Sequence, residues 1–129
     1  MLVPGGKLAV HLVDRNKFDP IVPAANPIQG VSPQDYAKKR LTRSEVRFNT
    51  CSYVASLEEP PQGDSYTFVE TITPKDGGKP TQNRHELHMP KQRDILAAAR
   101  DAGFTIVGRF SLEPVGYYHN QVYILQKAQ

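Results

Sequence analysis

The chain has a single cysteine, Cys51, among its 129 residues, so it cannot close an internal disulfide. That excludes the disulfide-stapled secreted folds and fits a reducing compartment. Cys51 falls inside a strand-like run, where a buried inert thiol is expected rather than a nucleophile. No apolar stretch approaches the roughly 18 residues of a membrane span, and the N-terminus lacks the basic-then-apolar order of a secretory signal. No membrane partner and a cytoplasmic location are the expectation. Surplus charge is also small: 16 Lys and Arg against 13 Asp and Glu leave +3, and only Lys38-Lys39-Arg40 are contiguous. No aromatic-interleaved basic stripe accompanies that triplet. It reads as a solvated helix end, and no nucleic-acid partner is expected. Repeats, low-complexity tracts and an interdomain linker are missing too, so residues 1–129 read as a single domain.

What is present is turn chemistry and alternation. Eleven prolines and nine glycines make the chain turn-rich, while 39% hydrophobic and 22% charged residues suit a globular domain. Pro4-Gly5-Gly6 leads into the mostly apolar run 7–13, a strand expected to be covered on both faces. Residues 17–31, with Pro20, Pro23 and Pro27, are too proline-rich for a helix. Ser32-Pro33-Gln34-Asp35 is a helix start, predicting a short helix over 33–40 that ends on the cationic triplet. From Val46 the period becomes two. The runs 46–55, 66–72 and 81–89, separated by the Pro60–Asp64 and Lys75–Lys79 turns, predict a three-stranded antiparallel meander. A helix from Pro90 to about Ala102 would bury Ile95, Ala98, Ala99 and Ala102 and stop at a left-handed Gly103. Strands at 104–110 and 117–125 complete the chain.

Three stretches carry a family resemblance. Leu2-Val3-Pro4-Gly5-Gly6 and the strand to Val13 resemble the turn and fifth strand of class I S-adenosylmethionine-dependent methyltransferases. Ala98-Ala99-Arg100-Asp101-Ala102-Gly103-Phe104 is similar to the end of that family's last helix and its entry into strand six. Gln121-Val122-Tyr123-Ile124-Leu125-Gln126-Lys127 resembles its closing strand seven. The resemblance implies an α+β chain holding a partial Rossmann-like sheet (strands five, six and seven, with seven antiparallel between the others). To this are added two helices and the antiparallel three-stranded insertion, residues 14–90, on the substrate side. It implies a C-terminal, substrate-side portion of a methyltransferase acting on a small molecule. The Gly-rich first loop and the acidic residue after the second strand, which hold S-adenosylmethionine in this family, have no counterpart in these residues. The chain alone is therefore expected to bind no cofactor and to be inactive. The competing reading is a non-catalytic α+β module that pairs with a partner through a sheet edge. Either way strand 7–13 leaves an apolar edge, and a homo-oligomer is expected.

In open α/β sheets ligands gather at the carboxyl ends of parallel strands. For strand 7–13 that end is Val13, Asp14 and Arg15, with His11 one pleat back. His11 and Asp14 are the catalytic candidates for meeting a methyl acceptor, and Arg15 is a substrate-binding candidate. Against them stands the plain reading of a sheet-end histidine and a capping aspartate. Arg84-His85-Glu86-Leu87-His88 is the other polar cluster with suitable residue types. Alternation puts Arg84, Glu86 and His88 on one face, where they could contact an acceptor, and His85 with Leu87 on the other. The two histidines point apart, so no metal site is expected. A charge-paired surface strand is the plain alternative.

Overall fold

In the computed structural model, which describes residues 1–25 and 31–129, the Pro4-Gly5-Gly6 turn delivers the chain into strand β1, Lys7–Val13. Gly5 takes φ +74°, a conformation that glycine enters without Cβ penalty. The turn is tied to the end of the chain. Gly5 N donates to Lys127 O at 3.0 Å, and Lys127 N donates to Gly6 O at 2.9 Å. The later elements are β2 Arg43–Arg47, β3 Cys51–Glu58, β4 Ser65–Pro74, β5 Thr81–His88, helix α1 Gln92–Asp101, β6 Phe104–Ser111 and β7 Asn120–Lys127. The class is α+β, with one α-helix and two antiparallel sheets among the described residues.

Two compact units result, Met1–Phe18 with Pro90–Gln129, and Asp19–Met89. The first holds a sheet of order β1-β7-β6. β7 lies in the middle, antiparallel to both neighbours, so β1 and β6 run the same way. Alternation along β1 and β7 sends Leu12, Tyr123 and Leu125 to one face, where they form the buried cluster. Val10, Ile95, Leu96, Ala99 and Phe104 pack around it. The helix therefore turns Ile95, Leu96 and Ala99 inward, while Ala98 and Ala102 face water, unlike the expected stripe. The reason is size: Leu96 has more apolar area to remove from water than either alanine. Tyr123 Oη donates to Gln92 Oε1 at 3.2 Å, pinning the helix start to β7.

Gly103 ends α1 as expected, at φ +86°, with nothing within 4 Å of where a Cβ would sit. Gly103→Ala would meet no steric clash, so its cost is the left-handed conformation alone, about 1–2 kcal/mol. Chemical denaturation should show that loss. An unchanged midpoint would mean that the backbone relaxes out of the left-handed region.

The second unit is a four-stranded sheet, β2-β3-β4-β5, and not a three-stranded meander. The run 46–55 contains a reversal: Phe48 N donates to Cys51 O at 2.8 Å, closing a turn at Phe48-Asn49-Thr50. Alternation on both sides of that turn hid it. Cys51, at the start of β3, is half-buried. The expected helix over 33–40 is a single 3-10 turn, Pro33–Tyr36, capped by Ser32, whose Oγ accepts from Gln34 N at 3.2 Å. The Gln34 side chain then binds Leu41 through both amide atoms. Its Nε2 donates to Leu41 O and its Oε1 accepts from Leu41 N, each at 2.6 Å. The chain is turned back before a second helical turn can form, and Ala37 is extended. Lys38-Lys39-Arg40 thus sit outside any helix, and Arg40 pairs with Glu59 at 2.6 Å. A 3-10 turn, Pro23–Ala25, is all the regular structure between Asp14 and Ala25. Pro27, counted with the other prolines of the connection, lies outside the described residues. Ile21, Ala55, Leu57, Tyr66 and Val69 are the buried apolar residues of this unit.

Candidate functional site

At the carboxyl end of β1, the strand register sets Val13 against Asn120 and His11 against Val122. His11 shares a face with Val13, opposite to Leu12 and therefore away from the helix-covered core. His11 Nε2 donates to Asn120 Oδ1 at 2.8 Å, and Asn120 Nδ2 donates to Tyr118 O at 2.8 Å. This chain fixes the ring and leaves Nδ1 as the imidazole's remaining acceptor when the ring is neutral. The loop supplying the other end carries its own constraint: His119 sits at φ +61°, and its carbonyl accepts from Asp14 N at 2.9 Å.

Asp14 is placed differently. Its Oδ1 accepts from Asn16 N at 3.0 Å, and its carbonyl takes Lys17 N at 3.0 Å and Phe18 N at 2.9 Å, so it organises the turn that leaves β1. With Arg15 and Asn16 it forms one wall of an open cleft of about 360 Å³, and Lys91, Gln92 and Arg93 at the start of α1 form the other. The structure thus brings Asp14 and Arg15 together in this cleft. His11 lies on the other face of the sheet, beside Asn120. No hydrogen bond joins His11 to Asp14 among those between described residues.

In the Asp19–Met89 unit, β5 is exposed along its whole length. Register places Arg84 opposite Val69 and Glu86 opposite Thr67, so Arg84, Glu86 and His88 share a face as alternation requires. Arg84 Nη2 pairs with Glu58 Oε2 at 3.3 Å, an exposed pair of the kind worth at most about 1 kcal/mol.

The opposite face holds the more ordered polar group, and the sequence did not single it out. Tyr53 Oη donates to Glu70 Oε1 at 2.6 Å, and His85 Nε2 donates to Glu70 Oε2 at 3.1 Å. Three adjacent strands meet there because register sets Tyr53 against Ile72, Ala55 against Glu70, and Phe68 against His85. The bonds run on the diagonals, within reach of long side chains. Burial, then the hydrogen bond to Glu70 and its negative charge, push the Tyr53 phenol up to about 12. The bonds from Tyr53 and His85 hold the Glu70 carboxyl below its ordinary value against the opposing pull of burial. The alternating runs 51–58 and 65–74 about the Pro60–Asp64 turn could have disclosed the Tyr53–Glu70 diagonal. That required the register, which alternation alone does not set. Among the described residues no group of three or more His, Cys, Asp or Glu is arranged to hold a metal ion. Nor is any described helix long and apolar enough to cross a membrane.

No family model matches the sequence, and no curated protein matches it. Among solved structures, the fold is similar to that of the CcbJ methyltransferase from Streptomyces caelestis, with a TM-score of 0.60 at 17% identity. The match covers 99% of this chain and 46% of that one, so the chain spans just under half the length of this structural neighbour. The fold is methyltransferase-like.

Proposed function

We propose that these residues form the C-terminal, substrate-side portion of a class I S-adenosylmethionine-dependent methyltransferase acting on a small molecule. The observation that carries this reading is the sheet order β1-β7-β6, with the closing strand antiparallel between two strands that run the same way. That is the order of strands five, seven and six in the family which the Pro-Gly-Gly, Ala-Gly-Phe and closing-strand segments resemble. The Asp19–Met89 unit falls within residues 14–90, which the resemblance assigns to a substrate-side insertion. In this reading the β1 end supplies the acceptor side through the cleft that Asp14 and Arg15 line, while His11, held by Asn120 on the sheet's other face, can take a proton only from a group bound on that face.

The described residues do not fit the cofactor. The family holds it on a glycine-rich loop between a strand and a helix. Here the positive-φ glycines are Gly5 before β1, Gly63 and Gly77 in hairpins, Gly103 after α1 and Gly116 after a 3-10 turn. None lies between a strand end and the start of a helix. Calorimetry with S-adenosylmethionine should accordingly detect no site on the 129-residue chain. The reading frame upstream of Met1 should encode a strand, a Gly-x-Gly loop and a helix, and the extended polypeptide should bind the cofactor. A micromolar site on the chain alone would overturn the division of labour. An upstream frame without that loop would overturn the family reading.

Association through β1 belongs to the same proposal. β7 pairs with one side of β1, and no described strand pairs with the other. Leu2, Val3 and Leu8 are exposed at this end of the sheet. Two copies are expected to associate through that edge. Sedimentation at tens of micromolar should report a dimer, and Leu8→Lys should return it to monomer. A wild-type chain that stays monomeric would refute this.

A further inference from the structure

The β2–β5 sheet has one face crowded with formal charge and one that is almost bare of it. Arg43, Glu45, Arg47, Glu58, Arg84 and Glu86 belong to the first by register. On the other face, among the strand residues, Glu70 is the one carboxylate, and with His85 neutral it is the one formal charge. Its neighbours there are Ala55 and Asn83 directly opposite, the first buried, and Tyr53, Phe68, Ile72 and His85. The Phe68 and His85 rings lie 6.5 Å apart, centroid to centroid. Ile72 and Leu87, on the same face, remain 39% and 38% exposed.

A carboxylate has about four lone-pair positions, and Tyr53 and His85 occupy two. The Glu70 side chain keeps 27% of its surface open to solvent. What remains is an anchored anion whose orientation is fixed from both sides, on a shelf of aromatic and aliphatic residues where, among the described strand residues, no lysine or arginine is present. A neutral hydroxyl ligand would leave that charge uncompensated, and an anion would be repelled. A small organic cation satisfies both parts of the surface, through a charge-assisted N–H bond to the carboxylate and apolar or cation–π contact with the rings.

We propose that the Tyr53–Glu70–His85 face is a binding site for a small organic ammonium with an apolar body. Glu70 receives the N–H, Tyr53 and His85 hold the carboxylate in place, and Phe68 or Ile72, the residues flanking Glu70 on the same face of β4, carries the apolar part. The site stands on the geometry of this unit and holds whether or not the chain belongs to a methyltransferase.

The test is a titration of the full chain at about pH 8, above the ordinary imidazole range, followed by the side-chain signals of Tyr53, Phe68 and Ile72, with Leu87, farther along the sheet, as the unshifted reference. Benzylammonium is the probe, with benzyl alcohol and benzoate as isosteric controls. The expected result is saturable shifts on Tyr53, Phe68 and Ile72 with benzylammonium in the millimolar range, at least about tenfold weaker binding of the alcohol, and none of benzoate. Glu70→Gln keeps an acceptor oxygen and the shape of the site, and it should weaken the ammonium about tenfold. Equal binding of ammonium and alcohol, or no saturable shift, would overturn the proposal without recourse to the variant. A folded Glu70→Gln chain that binds as well as wild type would overturn it as well.

Discussion

Replacing Leu125 with alanine is expected to remove about 2–3 kcal/mol from the stability of the β1-β7-β6 unit. Leu125 is only 2% exposed and sits on the central strand, between Leu8 of β1 and Ile106 of β6 in register. It joins Leu12 and Tyr123 in a buried cluster to which α1 and Phe104 add their apolar side chains. A cluster this small has little redundancy, and a domain's whole margin is of the order of 5–15 kcal/mol. The loss is placed at the lower part of the usual range for a leucine deletion for a specific reason. Leu125 also lines an open groove of about 470 Å³ between α1 and β6, so solvent can fill the space it vacates. Val107→Ala, at a position of β6 that is 49% exposed, provides the comparison and should cost under about 1 kcal/mol. Urea unfolding followed through the amide signals of β7 separates the two. Equal midpoints for the two variants would mean that the sheet is not held by this cluster.

The parts of the fold that short-range chemistry determines could be read before any coordinates. Gly103 had to end a helix because a left-handed residue was needed there, and it does. Ser32 and Pro33 had to start a helical turn, and they do. What that chemistry could not supply was the extent of the turn. Gln34 reaches Leu41 seven residues away and closes the chain on itself, a bond that propensity does not encode. The same limit explains the missing strand. Residues 46–55 alternate so evenly that nothing marks Phe48-Asn49-Thr50 as a reversal, which is fixed only once β2 pairs with β3.

The candidate sites divide along the same line. His11 was legible as a sheet-end residue, but its partner Asn120 lies 109 positions later and depends on β7 closing beside β1. Arg84, Glu86 and His88 were correctly assigned to one face by period two. The ordered polar group turned out to be on the reverse face, because Tyr53 and Glu70 come from strands that look like ordinary alternating sheet in isolation. Diagonal contacts across three strands need two registers to be known at once.

The Tyr53–Glu70–His85 group should therefore leave a signature in acid–base behaviour, with opposite signs at its two ends. Tyr53 has its folded value raised from 10.0 to about 12, so its contribution to stability is fully present below pH 10 and is lost as pH rises through about 12. Glu70 has its folded value depressed, so its contribution is present above the ordinary carboxylate range and is lost as pH falls through the folded value. A two-unit rise makes ionisation of Tyr53 about 100-fold harder than that of a free phenol. Phenolate absorbance, assigned by difference with Tyr53→Phe, should show one tyrosine still protonated where a free phenol has ionised. Glu70→Gln should lower the Tyr53 value by removing the negative charge and weakening the hydrogen bond. It should not restore the value to 10, because burial is the largest cause and survives the substitution. A Tyr53 that ionises at pH 10 in the wild type would show that the phenol is neither buried nor bonded as described. A Tyr53 unaffected by Glu70→Gln would place the whole rise on burial and remove the carboxylate from the account.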